Sequence, residues 1–342
     1  MLRLPSFTFR QARDLREAAD ILAGEGPNCR LVAGGTDLWP NMKRRHQKAE
    51  TVVSLMGIPE LAGVTNGDGL SLGATTLLDD VASDERVREG YPALARAVAS
   101  ISSPPLRNMG TIGGNVMVDT RCTYYNQTEE WRRSIDYCMK EEGTICWVAP
   151  SSPRCWAHHA SDSAPVLCAL GAEIDLVSTE GERSLPIESL YRDDGIDYTT
   201  KRPDEILTRI RVPDSASAAN CRSAFWKLRR RGSIDFGVLS VAVALWMEDD
   251  GETVERAEIR LGAVASYPAA VPKASELLRG QRLDGELLAE AAGLARKVAT
   301  PMDNTDFQAQ WRGLMAAKYT EAALREAAGL DTLRLAPRHG LY

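Results

Sequence analysis

The feature that most constrains this chain is a central stretch that is rich in cysteine and lacks any repeating apolar pattern. Four of the seven cysteines fall within 34 residues, with the spacing C-x15-C-x7-C-x8-C, at Cys122, Cys138, Cys146 and Cys155. Between Thr123 and Arg154 no helical or strand period is long enough to bury a face. A connection this long without regular structure is usually functional or disordered, and its many aromatic residues argue against disorder. We therefore expect an excursion that is ordered by something its cysteines bind.

The overall composition restricts the class of protein. The 342 residues are 44% hydrophobic and 26% charged, which is ordinary for a soluble chain of two or three domains. The net charge of −6 argues against nucleic-acid binding, because phosphates need a positive face. We see no apolar leader and no run near the ~18 apolar residues of a membrane span. We therefore expect a cytoplasmic protein, in which structural disulfides are rare and clustered cysteines more often bind metal or do redox chemistry.

The cysteine spacing leaves three possibilities open. Zinc modules usually hold their ligands in close C-x2–4-C pairs, and no pair in this cluster is that close. Wide spacing on an irregular loop is compatible with a [4Fe–4S] cluster, which needs four thiolates. Free thiols are the third possibility. The other three cysteines are expected to be small buried apolar residues: Cys29, Cys168 and Cys221.

Two glycine-rich turns are candidates for ligand binding. The first follows a short apolar strand and contains Gly34 and Gly35, and the second contains Gly113 and Gly114. Glycine lets backbone N–H groups approach a phosphate closely. Two such turns, each beside Thr and Asn or Asp, suit a ligand with two phosphates or a flat ring. The simpler alternative is that both are plain turns between secondary-structure elements.

The remaining pattern predicts an α+β chain with a boundary near residue 218. Before it, helices and short strands alternate, and residues 214–220 resemble a linker. After it, three strands at 223–229, 237–246 and 258–264 precede three helices at 274–278, 287–298 and 306–328. Strands followed by helices indicate a separate C-terminal α+β domain.

Taken together, these motifs resemble the FAD-binding subunit of the molybdenum hydroxylases, the xanthine dehydrogenase family. The resemblance implies FAD contacts at the first glycine loop, at the second glycine loop and at four points beyond them. The first-loop positions are Leu31, Val32, Ala33, Gly34, Gly35, Thr36, Asp37 and Leu38. The second-loop positions are Thr111, Ile112, Gly113, Gly114 and Asn115. The other positions are Ile101 near the flavin, the pair Ser161 and Asp162, Leu207 and Lys227.

The resemblance also implies a fold and domain boundaries. Residues 1–217 would form a two-subdomain FAD-binding domain of the PCMH, or vanillyl-alcohol-oxidase-like, type, divided into about 1–57 and 58–217. Residues 218–330 would form a C-terminal domain like that of the CO dehydrogenase flavoprotein, with a three-stranded sheet and helices. The departure from the family is the insertion at about 120–157, which carries all four clustered cysteines.

Within the family, that insertion resembles the β subunit of 4-hydroxybenzoyl-CoA reductase, which carries a [4Fe–4S] cluster beside FAD. The resemblance implies Cys122, Cys138, Cys146 and Cys155 as cluster ligands. It implies an (αβγ)2 assembly with a molybdenum-cofactor α subunit and a [2Fe–2S] γ subunit. Reduced ferredoxin would donate electrons for the anaerobic dehydroxylation of 4-hydroxybenzoyl-CoA to benzoyl-CoA. No residue of this chain would touch the substrate, so no catalytic residue is assigned.

Two other hypotheses remain. In one, FAD is kept and zinc orders the insertion, within an ordinary hydroxylase that oxidises an aromatic or heterocyclic substrate. In the other, the chain is a non-enzymatic, metal-stabilised binding or assembly protein whose glycine loops are only turns.

Overall fold

The computed structural model of the protein describes residues 2–332, which form three β-sheets with their helices. The first sheet is parallel, with the strand order β1-β3-β2. Its strands are β1 (Thr8–Gln11), β2 (Cys29–Val32) and β3 (Thr51–Ser54). Its helices are α1 (Leu15–Glu25) and α2 (Leu38–Lys43). Helix α1 starts where the Asp14 carboxylate accepts a hydrogen bond from the Glu17 amide, and its apolar stripe packs on the sheet.

The second sheet is antiparallel and has the order β4-β5-β8-β6-β7. Its strands are β4 (Val64–Gly67), β5 (Gly69–Gly73), β6 (Glu173–Ser178), β7 (Gly181–Pro186) and β8 (Ile206–Pro213). The helices between β5 and β6 are α3 (Leu78–Ser83), α4 (Glu85–Gly90), α5 (Pro92–Ala99), α6 (Pro104–Arg107), α7 (Ile112–Val116), α8 (Glu129–Ser134) and α9 (Ser163–Ala169). The largest apolar core joins this sheet to α5 and α9.

The third sheet is antiparallel and lies in the C-terminal part of the chain, with the order β12-β11-β10-β9. Its strands are β9 (Cys221–Leu228), β10 (Leu239–Met247), β11 (Val254–Gly262) and β12 (Ala269–Ala270). The helices α10 (Pro272–Leu278), α11 (Gly285–Val298) and α12 (Ala309–Ala327) follow. The predicted α+β class is confirmed. The expected three-stranded sheet gains β12, a two-residue edge strand too short to leave a periodic signal.

The insertion at 120–157 is compact. An antiparallel bridge between Arg121 and His158 closes its base. The Tyr125 hydroxyl donates to the His46 carbonyl oxygen at 3.0 Å, and the Thr123 amide donates to the Asn304 carbonyl oxygen at 2.8 Å. The insertion therefore rests on both the first unit and the C-terminal part. The expectation that it lacks regular structure is wrong at α8, a helix too short to show an apolar period.

Within residues 2–332, no helix is long and apolar enough to cross a membrane.

Candidate functional site

The first candidate site is a cavity of ≈ 940 Å³ that both glycine loops line. This volume lies at the upper end of the range for small-molecule and cofactor pockets, which is about 300–1,000 Å³. Of the 18 positions expected to contact FAD, the cavity is lined by Leu31, Val32, Ala33, Gly34, Gly35, Thr36, Asp37, Leu38, Ile101, Thr111, Gly113, Gly114, Asn115 and Leu207. Two sequence segments about 75 residues apart thus form one wall.

The glycines of the two loops are required by close backbone approach. A Cβ atom on Gly34 would overlap the carbonyl oxygen of Met109. A Cβ atom on Gly113 would lie 2.6 Å from the carbonyl oxygen of Ala74 and 2.7 Å from its Cβ. Gly35 has a φ of +71°, which side chains with a Cβ rarely adopt. A side chain would push the first loop away from Met109 at Gly34 and the second loop away from Ala74 at Gly113, and it would strain the backbone at Gly35.

Buried polar atoms at the cavity lack a partner among the described residues. They are Nη1 of Arg45 and Nδ1 of His46. Burial lowers the pKa of His46 to about 4, so its imidazole is neutral at pH 7. An arginine N–H and an imidazole nitrogen without partners suit a ligand that brings anionic and hydrogen-bonding groups. The residues present therefore fit a dinucleotide.

Asp37 lies at the start of α2 but does not cap it. Its carboxylate accepts hydrogen bonds from Asn41 and from the guanidinium of Arg121. That guanidinium lies over the Phe236 ring, 4.5 Å from the ring centre. The arginine from the base of the insertion therefore binds the Asp37 carboxylate.

Four positions of the expected FAD set do not line the cavity in this structure. Ile112 is fully buried in the main core. The Ser161 hydroxyl donates to Oδ1 of Asn115 at 2.8 Å. Asp162 and Lys227 form a buried ion pair, with Nζ 2.6 Å from the carboxylate. Flavin contacts by these four residues stay predictions.

The ion pair connects the C-terminal sheet to the FAD-binding units. Lys227, on β9, also donates from Nζ to the carbonyl oxygen of Ser100 at 3.1 Å. Burial raises the pKa of Asp162, and Lys227 opposes that shift. Burial lowers the pKa of Lys227, and Asp162 opposes it. Each charge is tolerated in the interior because the other is present.

The second candidate site is a small void lined by all four clustered cysteines. Each of these residues is buried, with an exposed fraction of 7% or less, and none is in a disulfide. The void of ≈ 10 Å³ is about the space of one water molecule. The structure therefore brings together four thiols that are separated by up to 33 positions in the sequence. Cys29, Cys168 and Cys221 are buried apart from them.

Each of the four sulfurs lies beside backbone amides. A hydrogen bond with the Cys155 side chain lowers the pKa of Cys146 to about 5 and raises the pKa of Cys155. The Ala157 amide donates to the Cys155 sulfur at 3.4 Å. Burial raises the pKa of Cys122 to about 11, although two backbone hydrogen bonds act to lower it. Burial also raises the pKa of Cys138, and one backbone hydrogen bond acts to lower it. Such donors stabilise thiolate and set the potential of metal–sulfur centres.

The four thiols match the ligand number of two kinds of centre, a single zinc ion and an iron–sulfur cube. Within residues 2–332, no group of three or more His, Cys, Asp or Glu side chains is arranged to hold one metal ion. Zinc bonded at ~2.3 Å in a tetrahedron would hold its thiolates about 3.8 Å apart. An iron–sulfur cube keeps its four thiolates farther apart, although it also needs more room than the void provides. The four buried, unpaired thiols fit such a cube by their chemistry.

The two cavities share a wall that sequence reasoning missed. Tyr125 and Lys140 line both of them. The Lys140 ammonium donates to Asp119 at 2.8 Å, to the Thr120 hydroxyl at 2.8 Å and to the Gly195 carbonyl oxygen at 2.6 Å. No local pattern distinguishes Lys140 from a surface lysine, so only the fold reveals its position.

Comparison with known proteins agrees with this arrangement. Residues 5–215 match the family model for the FAD binding domain in molybdopterin dehydrogenase. Residues 223–327 match the CO dehydrogenase flavoprotein C-terminal domain. A fold built from these two parts, with one large cavity against paired glycine loops, defines a flavoprotein subunit of a molybdenum enzyme. The chain belongs to the family of FAD-binding subunits of molybdopterin dehydrogenases, of the CO dehydrogenase medium-chain type.

Individual relatives cover most of the chain. It is 30% identical over 285 residues to the aldehyde oxidoreductase FAD-binding subunit PaoB of Escherichia coli, covering 80% of this chain and 86% of the relative. It is 26% identical to the carbon monoxide dehydrogenase medium chain of Hydrogenophaga pseudoflava, covering 94% and 97%. The crystal structure of the cyanide-inactivated Cu,Mo-CO dehydrogenase matches with a TM-score of 0.79 at 26% identity, covering 96% of this chain and 99% of that one.

Proposed function

We propose that this chain is the electron-transfer subunit of a molybdenum hydroxylase that oxidises its substrate. It would carry FAD and, in the insertion, a [4Fe–4S] cluster held by Cys122, Cys138, Cys146 and Cys155. The observation that supports the proposal is the convergence of four buried, free thiols on one void that shares a wall with the large cavity. FAD suits such a relay because it can exchange one or two electrons, while the protein positions the centres and tunes them.

The names of the relatives favour the oxidative direction. They include an aldehyde oxidoreductase, a carbon monoxide dehydrogenase, a glyceraldehyde dehydrogenase and a nicotinate dehydrogenase. Substrate electrons would reach this chain from a molybdenum-cofactor subunit through a [2Fe–2S] subunit, and would leave it by way of the flavin or the cluster. This is the alternative considered from the sequence, with an iron–sulfur cluster instead of zinc in the insertion.

A 4-hydroxybenzoyl-CoA reductase subunit fed by ferredoxin is the second candidate. Only the cysteine-bearing insertion and the resemblance it carries favour it, and none of the relatives named above bears that activity. The two candidates place the same cofactors in this chain and differ in the direction of electron flow.

Metal and flavin analysis tests the cofactor assignment. The complex would be purified anaerobically, and its FAD, iron, acid-labile sulfide and zinc would be measured per subunit. We expect one FAD and four additional irons per subunit. The four irons should be lost in Cys146→Ala and retained in Cys221→Ala, whose thiol is buried in the main core and does not line the void. Stoichiometric zinc without iron in this subunit, or equal iron in both variants, would contradict the cluster.

Flavin reduction tests the direction. Under anaerobic conditions, aldehydes and N-heterocycles would be added to the oxidised complex, and the flavin absorbance would be followed. We expect bleaching by a substrate of this kind without any added reductant. Bleaching only by reduced ferredoxin, with electrons then consumed by 4-hydroxybenzoyl-CoA, would establish the second candidate.

We also propose the remaining features predicted from the sequence. The domain boundary is placed between residues 217 and 218, and the FAD contacts are the 18 positions given above. The subunit would join an (αβγ)2 complex, and its cytoplasmic location rests on the seven free cysteines.

A further inference from the structure

Lys140 occupies an unusual position in the wall between the two cavities. Only 6% of its side chain is exposed, and its ammonium has three hydrogen-bond acceptors for its three N–H groups. Its nitrogen also lies 5.1 Å from the centre of the Tyr125 ring and 5.4 Å from that of Tyr198. A buried ammonium is costly unless it is paired. The surrounding groups therefore stabilise a positive charge at this point.

The counter-charge of this ammonium lies on one side only. Asp119 lines the large cavity but not the cysteine void, whereas Lys140 lines both. The ion pair is thus a fixed dipole whose positive end is closer to the sulfurs. The described residues that line the void include no carboxylate that would offset it.

We propose that Lys140 is a positioning residue that raises the reduction potential of the metal centre in the insertion, and that Asp119 opposes this effect. The inference rests on the proposed function. In the step concerned, the reduced flavin loses one electron and the cluster gains it, so that the cluster with its four thiolates changes from a net charge of −2 to −3. No bond forms or breaks. A nearby positive charge stabilises the more negative state, and cluster potentials depend on such charges.

The expected effect is a change of about tenfold or more in the ratio of oxidised to reduced cluster at a fixed potential. A unit charge within ~10 Å, at an effective dielectric constant of ~20, produces an effect of this order. For one electron, tenfold corresponds to 59 mV.

Redox titration of the intact complex, followed by the EPR signal of the reduced cluster, tests the inference. Lys140→Met removes the charge and should shift the midpoint to more negative potential. Asp119→Asn removes the counter-charge and should shift it the opposite way. Lys140→Arg keeps the charge and should stay near the wild type. The control is Arg133→Met on α8, where a charge on the same insertion is 67% exposed and screened by solvent.

Opposite shifts in Lys140→Met and Asp119→Asn support the inference, because damage to the fold would move both in one direction or release iron from both. Shifts of the same sign, or midpoints equal to the wild type with full iron, overturn it. If Lys140→Met alone releases its iron, the Asp119→Asn variant decides: a shift to more positive potential supports the inference, and a negative shift or no shift overturns it. Absence of a cluster from the wild-type subunit would instead overturn the proposed function itself, and the inference with it.

Discussion

Replacing Gly113 by alanine tests whether contact between the glycine loop and Ala74 shapes the flavin site. The new Cβ would lie 2.7 Å from Cβ of Ala74, whereas carbon atoms in contact prefer about 3.5–4.0 Å. The loop would have to retreat by about 0.8 Å or more. The Gly113 amide also donates to the Ala74 carbonyl oxygen at 2.9 Å, so this retreat would lengthen the hydrogen bond that fixes the loop.

The magnitude follows from the cost of overpacking a close contact, typically about 1–3 kcal/mol. The free protein can relax by moving the loop, but FAD binding requires the loop in its original place. The cost therefore appears as weaker binding, by about 5- to 150-fold at ~1.4 kcal/mol per factor of ten. Alanine has a higher helix propensity than glycine by about 0.5–1 kcal/mol, which favours the short helix α7 and offsets part of any loss in stability.

Gly24→Ala is the matched control. Gly24 lies in α1, and an added Cβ meets no atom within 4 Å, so it gains helix propensity without a clash. FAD-free protein of each variant would be titrated with FAD, and the dissociation constant would be read from the quenching of flavin fluorescence. Thermal unfolding of the same samples would show that both are folded. Wild-type affinity in Gly113→Ala, or an equal loss in Gly24→Ala, would refute the reasoning.

Three further predictions concern stability. Burial lowers the pKa of His158 and of His159 to about 3, so the unfolded chain alone takes up their protons as pH falls below 6.5. At pH 5 each histidine then lowers the free energy of unfolding by about 2 kcal/mol, at ~1.36 kcal/mol per pKa unit. The urea midpoints measured at pH 7 and pH 5 should therefore differ less in His159→Phe than in the wild type. Arg132 forms an ion pair with Glu141 and is 1% exposed, so Arg132→Met should cost about 3–5 kcal/mol and should speed proteolysis within the insertion; unchanged cleavage would contradict this. Arg312 is fully buried and donates to three carbonyl oxygens. Arg312→Met should therefore lower the free energy of unfolding in urea by ~3 kcal/mol or more. A loss below ~1 kcal/mol would contradict this and would show that water satisfies the three carbonyl oxygens instead.

Several elements could be predicted from the sequence because their signals are local. The helical spacing of apolar residues from Leu15 to Leu22 indicates α1, and the continuous apolar run at 237–246 predicted the strand β10. The linker-like segment before β9 indicated where the third sheet begins. Local patterns were less informative for β1, whose four residues are all exposed, and for the short helix α8.

Residue types and spacing along the chain determined that this protein has glycine turns able to approach a phosphate, and four thiols on an irregular loop. Those properties belong to the residues themselves. Only the tertiary structure decided that Gly34 meets Met109, that the four cysteines share one void, and that Lys140 stands beside both cavities with Asp119 on one side. These contacts join residues far apart in sequence, so they depend on how sheets and loops pack, and no local period encodes them.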